Sequence, residues 1–237
     1  MKRAYKPLAK APVLVPAGWG EQPGLSCGFG GRGGGAPPAC VVARQVHGNR
    51  VLPADVFARG DGGLECDGLS LRSRGVVVAV RTADCVPVLF YARRCHGSSE
   101  ELWAAAVHAG WRGTLSGVVE RAVEVAERAG FEAGDLRAAL GPSIRSCCYE
   151  VNGELAARFT EAGLSTSRLG RRWLLDLARI NRDLLLRAGL NPDAVQICGP
   201  CTRCRHDLYH SYRANPSEND RQLSWVGWVD PAPGKDG

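Results

Sequence analysis

The chain of 237 residues has no apolar run long enough to cross a bilayer, for its longest, Val76–Val80 and Val86–Ala92, are strand-sized. No secretion signal is expected either, because Met1-Lys2-Arg3 makes a basic start but Pro7, Pro12 and Pro16 interrupt any apolar stretch behind it. The expectation is a cytoplasmic protein with no membrane partner. Charge of one sign is not in large excess either. Thirty Lys+Arg face 24 Asp+Glu, for a net charge of +6. That balance suits a phosphate-bearing or otherwise anionic substrate, is weak evidence for nucleic acid, and equally fits a solvated surface, so composition does not choose the partner. There is no internal repeat and no evident linker. Histidine is scarce, at five residues.

Cysteine, by contrast, is plentiful at ten. Without a secretion signal and at this length, a disulfide framework is not expected. Cys27, Cys40, Cys66 and Cys95 stand alone and read as small core hydrophobes. The Cys147-Cys148 pair reads as a packed turn. Cys198, Cys201 and Cys204 form a CxxCxxC triplet followed by His206 and His210, a candidate second metal site that lacks the partner pair of a zinc ribbon. Residues 24–40, rich in glycine and including Pro37 and Pro38, read as a mobile loop. They lack the Lys-Ser/Thr ending of a phosphate-cradling P-loop.

Beyond that stretch the pattern becomes regular. Val76–Val80, Pro87–Tyr91 and Leu102–Val107 are apolar and β-branched enough to predict buried strands. Leu115, Val118, Val119, Ala122, Val123 and Ala126 recur at helical spacing up to Gly130, which predicts a helix over 115–129. Further elements are expected at 137–140 (strand), 153–162 (helix), 172–175 (strand), 194–198 and 223–229 (strands). Asp176 is the expected N-cap of a helix to Ala188. Strands and helices interleave, which gives one α/β domain.

Three residues stand where apolar runs give way to turns: His47 in Gln45-Val46-His47-Gly48, Cys85 in Thr82-Ala83-Asp84-Cys85, and His108 in His108-Ala109-Gly110-Trp111-Arg112-Gly113. A rigid scaffold presents chemistry at such element ends. One thiolate and two imidazoles match the count of a catalytic zinc, which keeps its fourth position open. The separations of 38 and 23 residues match no compact zinc finger. Spacing alone leaves a metal site and three unrelated structural residues as equal alternatives.

These segments, followed in order by Gly141-Pro142-Ser143-Ile144, Cys148-Tyr149-Glu150-Val151, Asp176-Leu177, Cys201-Thr202 and His210-Ser211-Tyr212-Arg213, resemble the purine nucleoside phosphorylase family with the laccase domain. The same family is also called multicopper polyphenol oxidase or peptidoglycan editing factor. The resemblance spans about residues 41–229. It implies a single-domain layered α/β sandwich with mixed β-sheets, similar to the catalytic domains of bacterial deamidating toxins. It divides the chain into an N-terminal segment, 1–40, and a laccase-domain-like catalytic domain, 41–237.

The resemblance further implies zinc on His47, Cys85 and His108, with copper as the alternative metal, and a nucleoside and phosphate as substrates. Phosphorolysis of adenosine, inosine or methylthioadenosine, with adenosine deamination beside it, is the implied activity. Arg112 and Arg213 are then candidates for oxyanion contacts, since guanidinium forks fit phosphate. Asp84 is a candidate base or orienting group, and Gln45 a candidate substrate contact. The alternatives are amide hydrolysis of cell-wall peptide precursors in the same pocket and copper-dependent oxidation of phenols. Five histidines are few for a laccase's copper set.

Overall fold

The computed structural model describes residues 11–35, 40–54 and 65–230. Pro7, Pro37 and Pro38 lie outside the described residues. The centre of the fold is a long hairpin of β6 (Val86–His96) and β7 (Ser99–Ala109), reversed at Gly97, whose φ of 61° is a conformation that favours glycine. Along β6, Val88, Phe90 and Ala92 join one apolar cluster while Leu89 and Tyr91 join another. β7 divides in the same way, with Trp103, Ala105 and Val107 on one face and Ala104 and Ala106 on the other. Both faces of the hairpin are therefore buried. That is why these runs read as continuous apolar stretches rather than alternating ones.

The hairpin is extended on one side by β4 (Gly68–Leu71) and β3 (Val51–Pro53), and on the other by β8 (Arg137–Leu140) and β12 (Val195–Ile197). The result is a mixed six-stranded sheet of order β12-β8-β6-β7-β4-β3. On one face lie α2 (Val118–Arg128) and α4 (Leu177–Arg187), which bury Val119, Ala122, Val123, Ile180 and Leu185 against it. Over the other face lies a four-stranded sheet of order β1-β13-β5-β2, built from β1 (Leu25–Phe29), β13 (Gln222–Trp228), β5 (Val76–Thr82) and β2 (Val41–Val42). Trp228, Val226, Val78 and Phe29 fill the space between the sheets. The protein is thus a helix–sheet–sheet sandwich, as expected. A small third sheet, of order β10-β11-β9, joins β9 (Glu150–Val151), β10 (Ser167–Leu169) and β11 (Arg172–Leu174) beside α3 (Gly153–Glu161).

Two local expectations are corrected. The glycine-rich stretch is not a free loop at its start, because Leu25–Phe29 pairs antiparallel with β13 and Phe29 is fully buried. Glycine serves there by leaving room: a Cβ on Gly28 would stand 2.5 Å from Val13 and 2.9 Å from the Trp225 ring. The helix predicted over 115–129 is α2 (Val118–Arg128), which begins three residues later than expected. A short α1 (Trp111–Leu115) precedes it, and Gly117 turns left-handed at φ 78° before α2 begins at Val118. Apolar periodicity carries through such a break, so the sequence pattern hides it. Asp176 does cap α4, accepting the Arg179 N–H.

Candidate metal centre and its pocket

Strand register brings the three sequence-predicted ligands together. Val86 pairs with Ala109 and Pro87 with His108 at the open end of the hairpin. The next residues out, Cys85 and Gly110, therefore face each other beyond the last pair. On the other side of β7, Gly68 pairs with Val107. That register sets Asp67 across from His108, whose N–H donates to the Asp67 carbonyl at 2.6 Å. His47 arrives from the segment between β2 and β3. One ligand atom from each of His47, Cys85 and His108 lies within 4.8 Å of the other two.

Asp67 organizes the centre, and it was not singled out in the sequence. It is fully buried. Its Oδ1 faces the His108 Nδ1 at 2.8 Å and accepts the His47 N–H at 2.9 Å; its Oδ2 accepts the Gly48 N–H at 2.6 Å and the Val46 N–H at 3.3 Å. His47 adopts φ 60°, which turns these successive N–H groups toward one carboxylate, as in an anion-binding nest. Burial opposes the Asp67 charge, but the His108 ring and the backbone donors outweigh it and hold the carboxyl below its usual range. With Nδ1 engaged by Asp67, His108 presents Nε2 to the cluster. This is the carboxylate–histidine arrangement that orients metal ligands.

The electrostatics favour the thiolate. Burial pushes the Cys85 thiol up, yet hydrogen bonds and charge from His108 and His47 overcome it and bring it down to about 6. Burial likewise disfavours charge on His108, and Asp67 and Cys85 outweigh that to raise it to about 9. A ligand thiol that ionises below neutrality gives up its proton to a metal at little cost. Space is kept as well. A Cβ on Gly110 would stand 3.1 Å from both Cys85 Sγ and His47 Nδ1. Only glycine there leaves the gap between the donors open. The donor set thus fits a single zinc-like or copper-like ion.

The centre forms the floor of a cavity of about 750 Å³, a size normal for a small-molecule site. His108 is buried below it, whereas His47 is exposed on the cavity side. Arg112 and Arg213 both line the cavity. The Arg112 guanidinium lies 4.2 Å over the Trp111 ring. Arg213 donates from Nη1 to the Glu150 carbonyl at 3.0 Å and lies over Tyr149. Asp84 also lines the cavity, in a left-handed conformation at φ 89°. Its carboxylate accepts the Thr202 hydroxyl at 2.6 Å and the Arg213 N–H at 2.7 Å. The Gln45 amide is held by the Arg81 backbone, accepting its N–H at 2.7 Å and donating to its carbonyl at 2.8 Å.

The Cys198-Cys201-Cys204 triplet does not converge on one point. The Cys198 N–H pairs with the Leu140 carbonyl at 2.7 Å, and its side chain packs against the core between the sheets. Cys201 and Cys204 instead meet Cys147 and Cys148, so that pair is more than the packed turn expected. His206 and His210 are engaged elsewhere, His206 Nδ1 with the Arg203 carbonyl and His210 Nδ1 with Glu218.

Among the described residues, no helix is long and apolar enough to cross a membrane. Comparison with known proteins agrees with the fold. A purine nucleoside phosphorylase YlmD of Bacillus subtilis is 30% identical over 200 residues, covering 79% of this chain and 70% of that protein. An adenosine deaminase RL5 from an unknown prokaryotic organism is 33% identical over 186 residues, covering 73% and 69%. The crystal structure of the hypothetical protein YfiH of Bacillus licheniformis superposes with a TM-score of 0.79 at 26% identity, covering 94% of this chain and all of that one. The family model described as multi-copper polyphenol oxidoreductase laccase matches residues 32–229, and the chain belongs to that family.

Proposed function

We propose that the protein is a zinc-dependent purine nucleoside phosphorylase, acting on adenosine, inosine or methylthioadenosine. The observation that carries this reading is a single His47–Cys85–His108 donor set on the floor of a pocket whose rim offers guanidinium groups and aromatic rings. The purine nucleoside phosphorylase names borne by relatives from Bacillus subtilis and Deinococcus radiodurans support this reading, and the relative named adenosine deaminase RL5 acts on the same class of substrate by another reaction. In phosphorolysis a phosphate oxygen bonds to the ribose C1′ while the bond from C1′ to the purine nitrogen breaks. The electron pair leaves with the purine, which takes up a proton. Arg112 and Arg213 supply fixed positive charge for the phosphate. Trp111 and Tyr149 offer faces for stacking a purine.

Tyr149, pushed up to about 12 mainly by burial, keeps its proton at neutral pH and can donate a hydrogen bond to the departing base. Asp84 acts here as a positioning residue, since both its oxygens already hold the Thr202 and Arg213 segment against the pocket. Gln45 supports the rim through Arg81. Zinc, when bound, supplies Lewis-acid stabilisation of an oxyanion at the floor.

A second reading is copper-dependent oxidation of phenols. It is favoured by the soft His2Cys donor set and by the description of the family model. Against a multi-copper centre stand the five histidines of the chain, of which His96 lies at the far end of the hairpin and His206 and His210 are engaged as described. The deciding experiment incubates zinc-loaded protein with inosine or adenosine, with and without phosphate. Chromatography then follows free base, ribose 1-phosphate and deaminated nucleoside. Phosphate-dependent release of base, reduced by Arg112→Ala chiefly through a higher KM for phosphate, is expected. Oxygen uptake on a phenol by the copper-loaded protein, with no base released from the zinc-loaded one, would replace the first reading by the second.

A further inference from the structure

We propose that Cys147, Cys148, Cys201 and Cys204 form a second metal site, a mononuclear zinc bound by four thiolates, that pins one wall of the pocket. All four Sγ atoms lie within 4.8 Å of one another, and Cys204 Sγ is 3.6 Å from that of Cys147 and 3.4 Å from that of Cys148. With zinc–sulfur bonds of about 2.3 Å, the edges of a tetrahedron are about 3.8 Å, so the thiols stand close to ligand spacing before any metal is added. No disulfide joins them, since bonded sulfurs sit about 2.05 Å apart. They are too close for an iron–sulfur cluster, which spreads its thiolates over separate irons.

The backbone around Cys201 suits anionic sulfur. The Arg145 N–H donates to Cys201 Sγ at 3.5 Å, and the N–H groups of Arg203 and Cys204 are directed at the same atom. A zinc with four thiolates carries two net negative charges. The largely buried Arg145 guanidinium lies beside the site, donating to the Cys198 and Gly199 carbonyls at 3.2 and 3.4 Å. On binding, the thiols release their protons to solvent.

The four cysteines come from two segments that meet at the Ser143–Cys201 bridge, where the Thr202 N–H donates to the Ser143 carbonyl. One segment carries Tyr149, next to Cys148, and the other carries Thr202, which holds Asp84. A metal across them fixes both relative to the first centre. This inference does not depend on the reaction or on the metal of the first centre.

The test uses the full chain, purified under reducing conditions, stripped by a chelator and reloaded with zinc or with cobalt(II). Elemental analysis is expected to find two zinc per wild-type chain, one fewer in Cys204→Ser and one fewer in His108→Ala. Cobalt in His108→Ala should show the intense thiolate charge-transfer absorption of a four-sulfur tetrahedron, and Cys204→Ser should lack it. Because His108→Ala leaves the four cysteines intact, that measurement holds even if Cys204→Ser fails to fold. A single zinc with the four-sulfur spectrum in both wild type and His108→Ala would uphold the inference while removing the metal from the first centre. The inference is overturned if His108→Ala takes up no metal, or if Cys204→Ser keeps the wild-type zinc count. It is equally overturned if Cys204 is found cross-linked, with the chain two hydrogens light and no zinc uptake after reduction.

Discussion

Replacing Asp67 by asparagine tests how the first centre is held. The carboxylate satisfies four donors, His47 N–H and His108 Nδ1 at one oxygen, Gly48 N–H and Val46 N–H at the other. An asparagine has one oxygen and one NH2, so either orientation sets the NH2 against donors. With the oxygen toward His108, the NH2 opposes the Gly48 and Val46 N–H groups. In the flipped state it opposes the His47 N–H, and His108 must expose an unprotonated Nδ1 to it. The proton then moves to Nε2, the atom that faces the cluster, and its lone pair is lost to a metal. A fully buried unmatched donor costs about 1–3 kcal/mol, and the backbone donors here are only partly buried, so Asp67→Asn should lose about 1–3 kcal/mol of stability in all. Metal affinity should fall about 10–100-fold, the usual effect of removing such a partner. Urea unfolding in excess chelator measures the first quantity, and zinc competition against a chromophoric chelator measures the second. If stability changes by less than about 0.5 kcal/mol, as for an ordinary surface substitution, and zinc affinity is unchanged, the assigned role of Asp67 is wrong.

Two further outcomes follow from single contacts. Gly110→Ala puts a methyl 3.1 Å from Cys85 Sγ and His47 Nδ1; zinc affinity should drop while the metal-free unfolding midpoint moves little, and an unaltered affinity would show that the gap is not the metal's position. Arg32, first, and His210 hold the Glu218 carboxyl down at about 2, below its ordinary 4.5. A carboxylate depressed in the folded state stabilises fully above its ordinary value and loses that contribution as pH falls toward 2. Acid titrations should therefore show a wild-type stability that declines between about pH 4.5 and 2 more steeply than that of Glu218→Gln, and parallel curves would refute the linkage.

The long strands of the central sheet were legible because both their faces are buried, which writes them as continuous apolar runs such as Val86–Ala92. α4 was legible because Asp176 caps it and Gly189 ends it. What stayed hidden was structure with short or mixed signals. β1 sits in a glycine-rich stretch, where small residues mean close packing against Trp225 rather than freedom. β2, β3 and β9 are two or three residues long and carry no period to detect. The break at Gly117 vanished inside an apolar pattern that continues across it.

For the candidate site, legibility followed a different rule. His47, Cys85 and His108 were visible because each ends an apolar run, but nothing in their spacing says that they meet. Their meeting is a product of register: Val86 opposite Ala109 and Gly68 opposite Val107 bring residues 67, 85 and 108 to one end of the sheet. A slip of one residue along β7 would turn His108 to the other face, away from Asp67. The same reasoning explains why Asp67 escaped notice. Its partners are 19 to 41 positions away, and beside Cys66 and Gly68 it looks like any acid before a strand. Cys147 and Cys148 look like a turn in sequence because Cys204, which meets both, lies 57 and 56 residues further on. Sequence exposes a site's donors when each ends an element, but only pairing across strands and bridges selects which donors share an ion. The prediction is therefore sharper for a register change than for a side-chain change: inserting one residue in β7 between Val107 and His108 should abolish metal binding at the first centre while the four-cysteine site, carried on other segments, still takes up zinc.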